Sequence, residues 1–284
     1  MSAPVSIITD STAYLPPAAL LSEQITTVPL TVVVDGEAHE EGEGVTAASL
    51  AEALRKHRPV TTSRPSPEAF AAAYRAAADA GAEGIVSLHL SAEVSGTYDA
   101  AVLAAAGSPV PVRVVDSGMV AMALGFSALA AARTAREEGG LDAVVRAARQ
   151  RAERTSALFY VDTLDYLRRG GRIGTAQALL GSALAVKPLL ELTEGRIQPL
   201  EKVRTASRAI ARLEELTVAR AAALEAPVEV AVHHLAASER AEALADNLRE
   251  RVGDLVNLHV SEVGAVIGAH TGPGLLGAVV TPAQ

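Results

Sequence analysis

Residue types suited to chemistry are densest in Leu88-His89-Leu90-Ser91-Ala92-Glu93-Val94-Ser95-Gly96-Thr97-Tyr98. The stretch follows an apolar run and precedes an Ala-rich one, so it reads as a strand-to-helix turn of small hydroxyls around a glycine. Free N–H groups at a helix start, next to such hydroxyls, favour an anionic oxygen, and Gly96 lets a ligand approach closely. An ordinary N-cap by Ser95 or Thr97 would account for the same residues.

Hydroxyls recur at other strand ends (Thr9, Ser11, Ser117, and the Thr61-Thr62-Ser63 turn), where parallel sheets bind ligands. His270 lies in the Gly264–Gly274 run, which has neither the Lys-Ser/Thr of a P-loop nor GxGxxG spacing. A histidine among glycines suits proton transfer or phosphate contact. Ser95, Asp116 and His270 follow the chain order of an α/β hydrolase, but Val94-Ser95-Gly96 is not the G-x-S-x-G elbow. A serine esterase or acyl-transfer enzyme using Ser95 and His270 is therefore the alternative, and no catalytic residue is expected. No metal site is expected either. His233-His234 are adjacent and point to opposite faces of a strand, HExxH is absent, and Glu40-Glu41-x-Glu43 reads as a solvated loop. Arg168, Arg169, Arg172, Lys187, Arg196, Lys202 and Arg204 concentrate basic charge in one quarter of an acidic chain, as would a patch meeting phosphate or an acidic partner.

The elements that must position these groups alternate. Strands are predicted at 5–9, 84–90 and 110–115, with helices at 46–57, 66–81, 98–106, 119–138 and 141–154, and an extended stretch at 26–34. That pattern implies a mainly parallel sheet covered on both faces. After a strand at 156–161, a capped short helix ends on Gly170-Gly171, and 176–186 carries a broad apolar face. A hairpin around Thr193-Glu194-Gly195, then helix, strand, helix, strand and a last apolar strand complete the chain. The expected fold is two α/β domains, 1–157 with a three-layer, mainly parallel sheet and 158–284 with a mixed sheet.

Composition narrows the partners. The 284 residues are 49% apolar and only 3% aromatic, without Trp or Cys, and net charge is −8. Few stacking side chains and an acidic balance argue against nucleic acid. No apolar run reaches the roughly 18 residues of a membrane span and no signal peptide is evident, so a cytoplasmic protein without integral membrane contact is expected.

Taken together, Thr9-Asp10-Ser11-Thr12 with Leu15-Pro16, Thr62-Ser63-Arg64-Pro65-Ser66, Ser91 through Tyr98, Val115-Asp116-Ser117, Asp162-Thr163-Leu164 through Gly171-Arg172-Ile173, Lys187-Pro188 and Gly264 through Gly274 resemble the DegV family in order and spacing. The resemblance implies a bacterial fatty-acid-binding protein with one fatty acid, such as palmitate or oleate, between its two domains and no other cofactor. It further implies delivery to a fatty acid kinase with a dihydroxyacetone-kinase-like fold, which phosphorylates the acid for phospholipid synthesis. Thr62 and Ser95, with Gly96, fall where the family holds the carboxylate. Arg204 and His270, joined by Arg172 of the basic cluster, fall on the kinase-facing surface. The chain departs from the common pattern at Arg64, Ala92 and Val94.

Such binding is physically reasonable. A dozen or more CH₂ groups at roughly 0.8 kcal/mol each outweigh head-group hydrogen bonds of about 0.5–3 kcal/mol. The tail supplies affinity and the hydroxyls set orientation. The tail tunnel is expected along Leu179, Leu180, Ala183, Leu184 and Leu189.

Overall fold

The structure, a computed structural model, describes residues 4–137, 139–179 and 187–283. Two compact units emerge, one formed by Met1–Thr31 and Ser63–Glu153, the other by Val32–Thr62 and Arg154–Gln284. This differs from the single cut expected at residue 157, because the segment Val32–Thr62 joins the second half. Its strands Thr31–Val34, Glu37–Glu40 and Val60–Ser63 make a three-stranded sheet of their own. From that segment Leu50 packs on Gly268, and Glu41 bonds the backbone of Val266.

The first unit is built on a four-stranded sheet in the order Ile25–Val28, Val5–Asp10, Gly84–His89, Val112–Asp116, parallel throughout. All six residues of Gly84–His89 are buried, as a strand covered on both faces requires. Helix Pro67–Asp79 starts where expected, with Pro67 in the first turn and the Ser66 hydroxyl accepting from Ala69 N at 3.3 Å. Its Phe70 and Tyr74 pack with Ile8 and Ile85. Helix Met122–Arg136 is buried all round from Met122 to Ala132, which its alanine and glycine content permits.

The second unit carries a six-stranded sheet in the order Arg196–Val203, Lys187–Thr193, Ser156–Tyr160, Leu276–Pro282, Val228–His234, Leu255–Glu262. It is mixed, with only the last pair parallel. Alternate residues Leu158, Tyr160, Val230, Val232, Leu276 and Ala278 form one core with helices Ala206–Ala222 and Ser238–Arg251. The α/β class with one parallel and one mixed sheet is as expected. No helix among the described residues is long and apolar enough to cross a membrane.

Three local expectations change. The hydroxyl-rich turn at 60–63 is a strand, because it pairs within the small sheet. The glycine-rich run holding His270 contains a helix, Ala265–Thr271, bounded by Gly264 and Gly272 and with Gly268 at its middle. Of the apolar face at 176–186, Gly174–Leu179 is a 3-10 helix, and Leu180, Ala183 and Leu184 lie outside the described residues.

Candidate functional site

In the first unit the turn at 91–97 is held from below by a buried polar chain. Asp10, at the carboxyl end of its strand, accepts from Thr12 N at 3.1 Å and Thr12 Oγ1 at 2.5 Å through Oδ1. Through Oδ2 it accepts from Leu90 N at 2.9 Å and faces His89 Nδ1 at 3.1 Å. His89 Nε2 lies 2.6 Å from Ser87 Oγ, which accepts from the Tyr74 hydroxyl at 2.9 Å. Asp10, Ser87, His89 and Tyr74 are fully buried, so this Ser-His-Asp order has no access for a substrate. It rivets the ends of two strands where the turn begins. Burial pushes the Tyr74 phenol up to about 12, which keeps it a neutral donor.

Above that base, Ser91 N bonds Met119 O at 2.9 Å, and Asp116 Oδ1 accepts from Ala92 N at 3.2 Å and Gly118 N at 2.9 Å. Asp116 is therefore a turn anchor, its carboxylate spent on backbone N–H groups. Ser95 Oγ lies 2.9 Å from Thr97 Oγ1 and accepts from Thr97 N at 3.3 Å. Gly96 is the N-cap of helix Thr97–Ala105 and offers no side chain to its free N–H groups.

In the second unit Thr62 closes the strand Val60–Ser63, and its Oγ1 lies 2.8 Å from His270 Nε2. His270 ends the helix Ala265–Thr271. Its other nitrogen, Nδ1, is buried without a partner among the described residues and packs on Gly170, where a methyl group would overlap it. Burial first, then the Arg172 charge, pulls its pKa down to about 4, so the ring is neutral near pH 7. The segment Val32–Thr62 grips this short helix along its length. Glu41 Oε1 accepts from Val266 N at 2.9 Å at one end, where Gly264 supplies no cap. Leu50 seats against Gly268 in the middle, and Thr62 meets His270 at the other end.

Thr62, His270 and Arg172 line one hollow of about 450 Å³, with Arg58, Arg169 and Tyr166. Arg172 Nη1 donates to Gly170 O at 2.6 Å. Arg204 is exposed just ahead of helix Ala206–Ala222. Leu179 is buried at the end of its 3-10 helix, while Leu189 belongs to the packed core beside Leu158 and Tyr160. The sequence shows Asp10 only as one residue of the Thr9–Thr12 motif, without a role, and Glu41, expected in a solvated loop, instead accepts from Val266 N. Their only signals are an acid straight after a strand and a helix that begins on glycine.

The fold and the site define a two-unit α/β protein with hydroxyls presented at strand ends and a basic hollow beside one of them. The DegV family model, described as "Uncharacterised protein, DegV family", matches residues 4–283. The chain belongs to this family. A DegV domain-containing protein of Streptomyces coelicolor is 69% identical over 281 residues, covering 99% of both chains. A DegV family protein of Thermus thermophilus, described by its fatty acid binding, superposes with a TM-score of 0.92 at 33% identity, over 99% of this chain and 100% of its own. DegV of Bacillus subtilis, described as a fatty acid binding protein, gives 0.90 at 33% identity with the same coverage.

Proposed function

We propose that this chain is a cytoplasmic carrier that binds a long-chain fatty acid such as palmitate or oleate, its carboxylate held by Thr62, Ser95 and the Gly96 backbone. The observation that carries the reading is the Thr62–His270 pair. A neutral imidazole donating from Nε2 occupies one lone pair of the Thr62 oxygen and leaves the hydroxyl proton for a ligand acceptor. The likeness to fatty-acid-binding neighbours across the whole chain supports the same ligand class. Leu179 and the apolar residues after it are the candidates for the tail.

In this reading the chain performs no chemistry of its own. It presents the carboxylate to a separate fatty acid kinase of dihydroxyacetone-kinase-like fold, with Arg172, Arg204 and His270 towards that partner. The basic hollow shared by Arg58, Arg169 and Arg172 suits an acyl phosphate in a chain whose net charge is otherwise negative. Mass spectrometry of lipid extracted from the purified protein tests the ligand class, and a long-chain acid at about one per chain is expected. No acid in the extract, together with no binding of added oleate, would overturn the reading.

A further inference from the structure

Gly96 has φ −79°, a value open to any residue, so backbone conformation does not explain the glycine. What lies above its Cα is the outer end of one flexible side chain. A Cβ there would lie 3.1 Å from Arg64 Cδ and 3.2 Å from Arg64 Cζ, and closer still to Nη1. The Arg64 guanidinium thus packs directly against the glycine of the head-group turn, one residue from Ser95. Arg64 precedes the buried Pro65, which confines its backbone, though not its side chain, to extended conformations.

The guanidinium meets no carboxylate or hydrogen-bond acceptor among the described residues. Some arginines of the chain are spent on acids, as Arg212 is on Glu201 and Arg220 on Glu191, whereas Arg64, like Arg169 and Arg204, is not among the described residues; what sets Arg64 apart is its place against the Ser95 turn. An exposed arginine whose fork has no protein partner is free to take a planar anion, because a carboxylate can accept two parallel N–H bonds from it. Hydroxyls alone would bind the head group of an acid or of an alcohol.

We infer that Arg64 is the specificity-determining residue of the head-group site, making this chain select ionised fatty acids over neutral lipids of the same length. The inference rests on the fatty-acid reading above. It places a cation beside the Ser95 turn, at one of the positions where the sequence departs from the family pattern.

Titration of the wild type and of Arg64→Gln with oleate and with oleyl alcohol, at low and high salt, tests it. Arg64→Gln is expected to weaken oleate binding about 10-fold or more, to leave the alcohol unchanged, and to abolish most of the salt dependence. Arg64→Lys keeps the charge without the planar fork and should fall between. The side chain is exposed, so folding is not at stake. Equal losses for acid and alcohol, or no loss for either, would overturn the role of Arg64 while leaving fatty-acid binding in place. A wild type that binds neither ligand would instead refute the fatty-acid reading, and this inference with it.

Discussion

His270 Nε2 stands 2.8 Å from Thr62 Oγ1, while Nδ1 of the same ring is buried against Gly170 with no partner among the described residues. That asymmetry decides the tautomer. A proton on Nδ1 would be a buried donor with no acceptor, the costlier of the two unsatisfied states. The proton therefore sits on Nε2, Thr62 accepts it, and the Thr62 hydroxyl is free to donate outwards.

Acid sensitivity follows. Burial lowers both His270 and His233 to about 4, from about 6.5 when unfolded. Each ring binds fewer protons folded than unfolded over that interval, so its stabilising contribution is complete above about pH 6.5 and is lost as pH falls towards 4. Urea denaturation at pH 7 and pH 5 should show a loss of a few kcal/mol, in a range above most carboxylate titrations. His270→Gln should flatten part of that slope. A stability curve flat between pH 7 and 5 would contradict the placement of both rings.

The two head-group hydroxyls should act on affinity more than on stability. Neither Thr62 nor Ser95 is fully buried. Thr62→Ala and Ser95→Ala are each expected to weaken oleate binding about 2- to 12-fold, the worth of about 0.5–1.5 kcal/mol per hydrogen bond, with little change in urea midpoint. Affinity unchanged in the double variant would remove both from the site.

Much of this was legible in the chain, and the reasons differ by element. Strand Gly84–His89 and helix Pro67–Asp79 announce themselves through an unbroken apolar run and a Ser-Pro-Glu start, signals that need no tertiary context. Strand Val60–Ser63 does not, because Thr-Thr-Ser becomes a strand only by pairing with a partner that the local sequence cannot identify. The grouping of Val32–Thr62 with the second unit is hidden for a related reason. Glu41 and Leu50 bind the Val32–Thr62 segment to residues more than 200 positions away, and no composition shift marks such a return. Arg64 was visible as an unusual residue, but its place over Gly96 depends on how a helix start and a strand end meet.

Asp10 is expected to matter more than its small size suggests. Asp10→Asn keeps one oxygen for Thr12 but turns an amide N–H₂ towards Leu90 N or His89 Nδ1, setting donor against donor in a fully buried place. Leaving such groups unpaired should cost about 2–4 kcal/mol in urea denaturation and speed amide exchange through residues 90–97. A cost below about 1 kcal/mol would mean that the turn is held without this carboxylate.

Adjacent glycines allow the His270–Thr62 contact to be separated from general stability. Gly170 has φ −75°, so alanine there is unstrained, and it would even stabilise modestly by restricting the unfolded chain. Its methyl group, however, would overlap His270 Nδ1 and lie 2.7 Å from Cε1, so the ring must swing off Thr62. Gly171 is the converse, with φ +71° and open space where a methyl group would stand, so alanine there strains the backbone by about 1–2 kcal/mol and touches nothing. Gly170→Ala should therefore lose about 1–3 kcal/mol of stability by overpacking, raise the His270 titration observed by NMR from about 4 towards 6.5, and weaken oleate binding about as much as Thr62→Ala. Gly171→Ala should lose stability and keep both the His270 titration and the affinity. Were the two variants to lose affinity and stability in the same proportion, binding would be tracking the fold as a whole, and the orientation of the His270 ring would have no separate part in it.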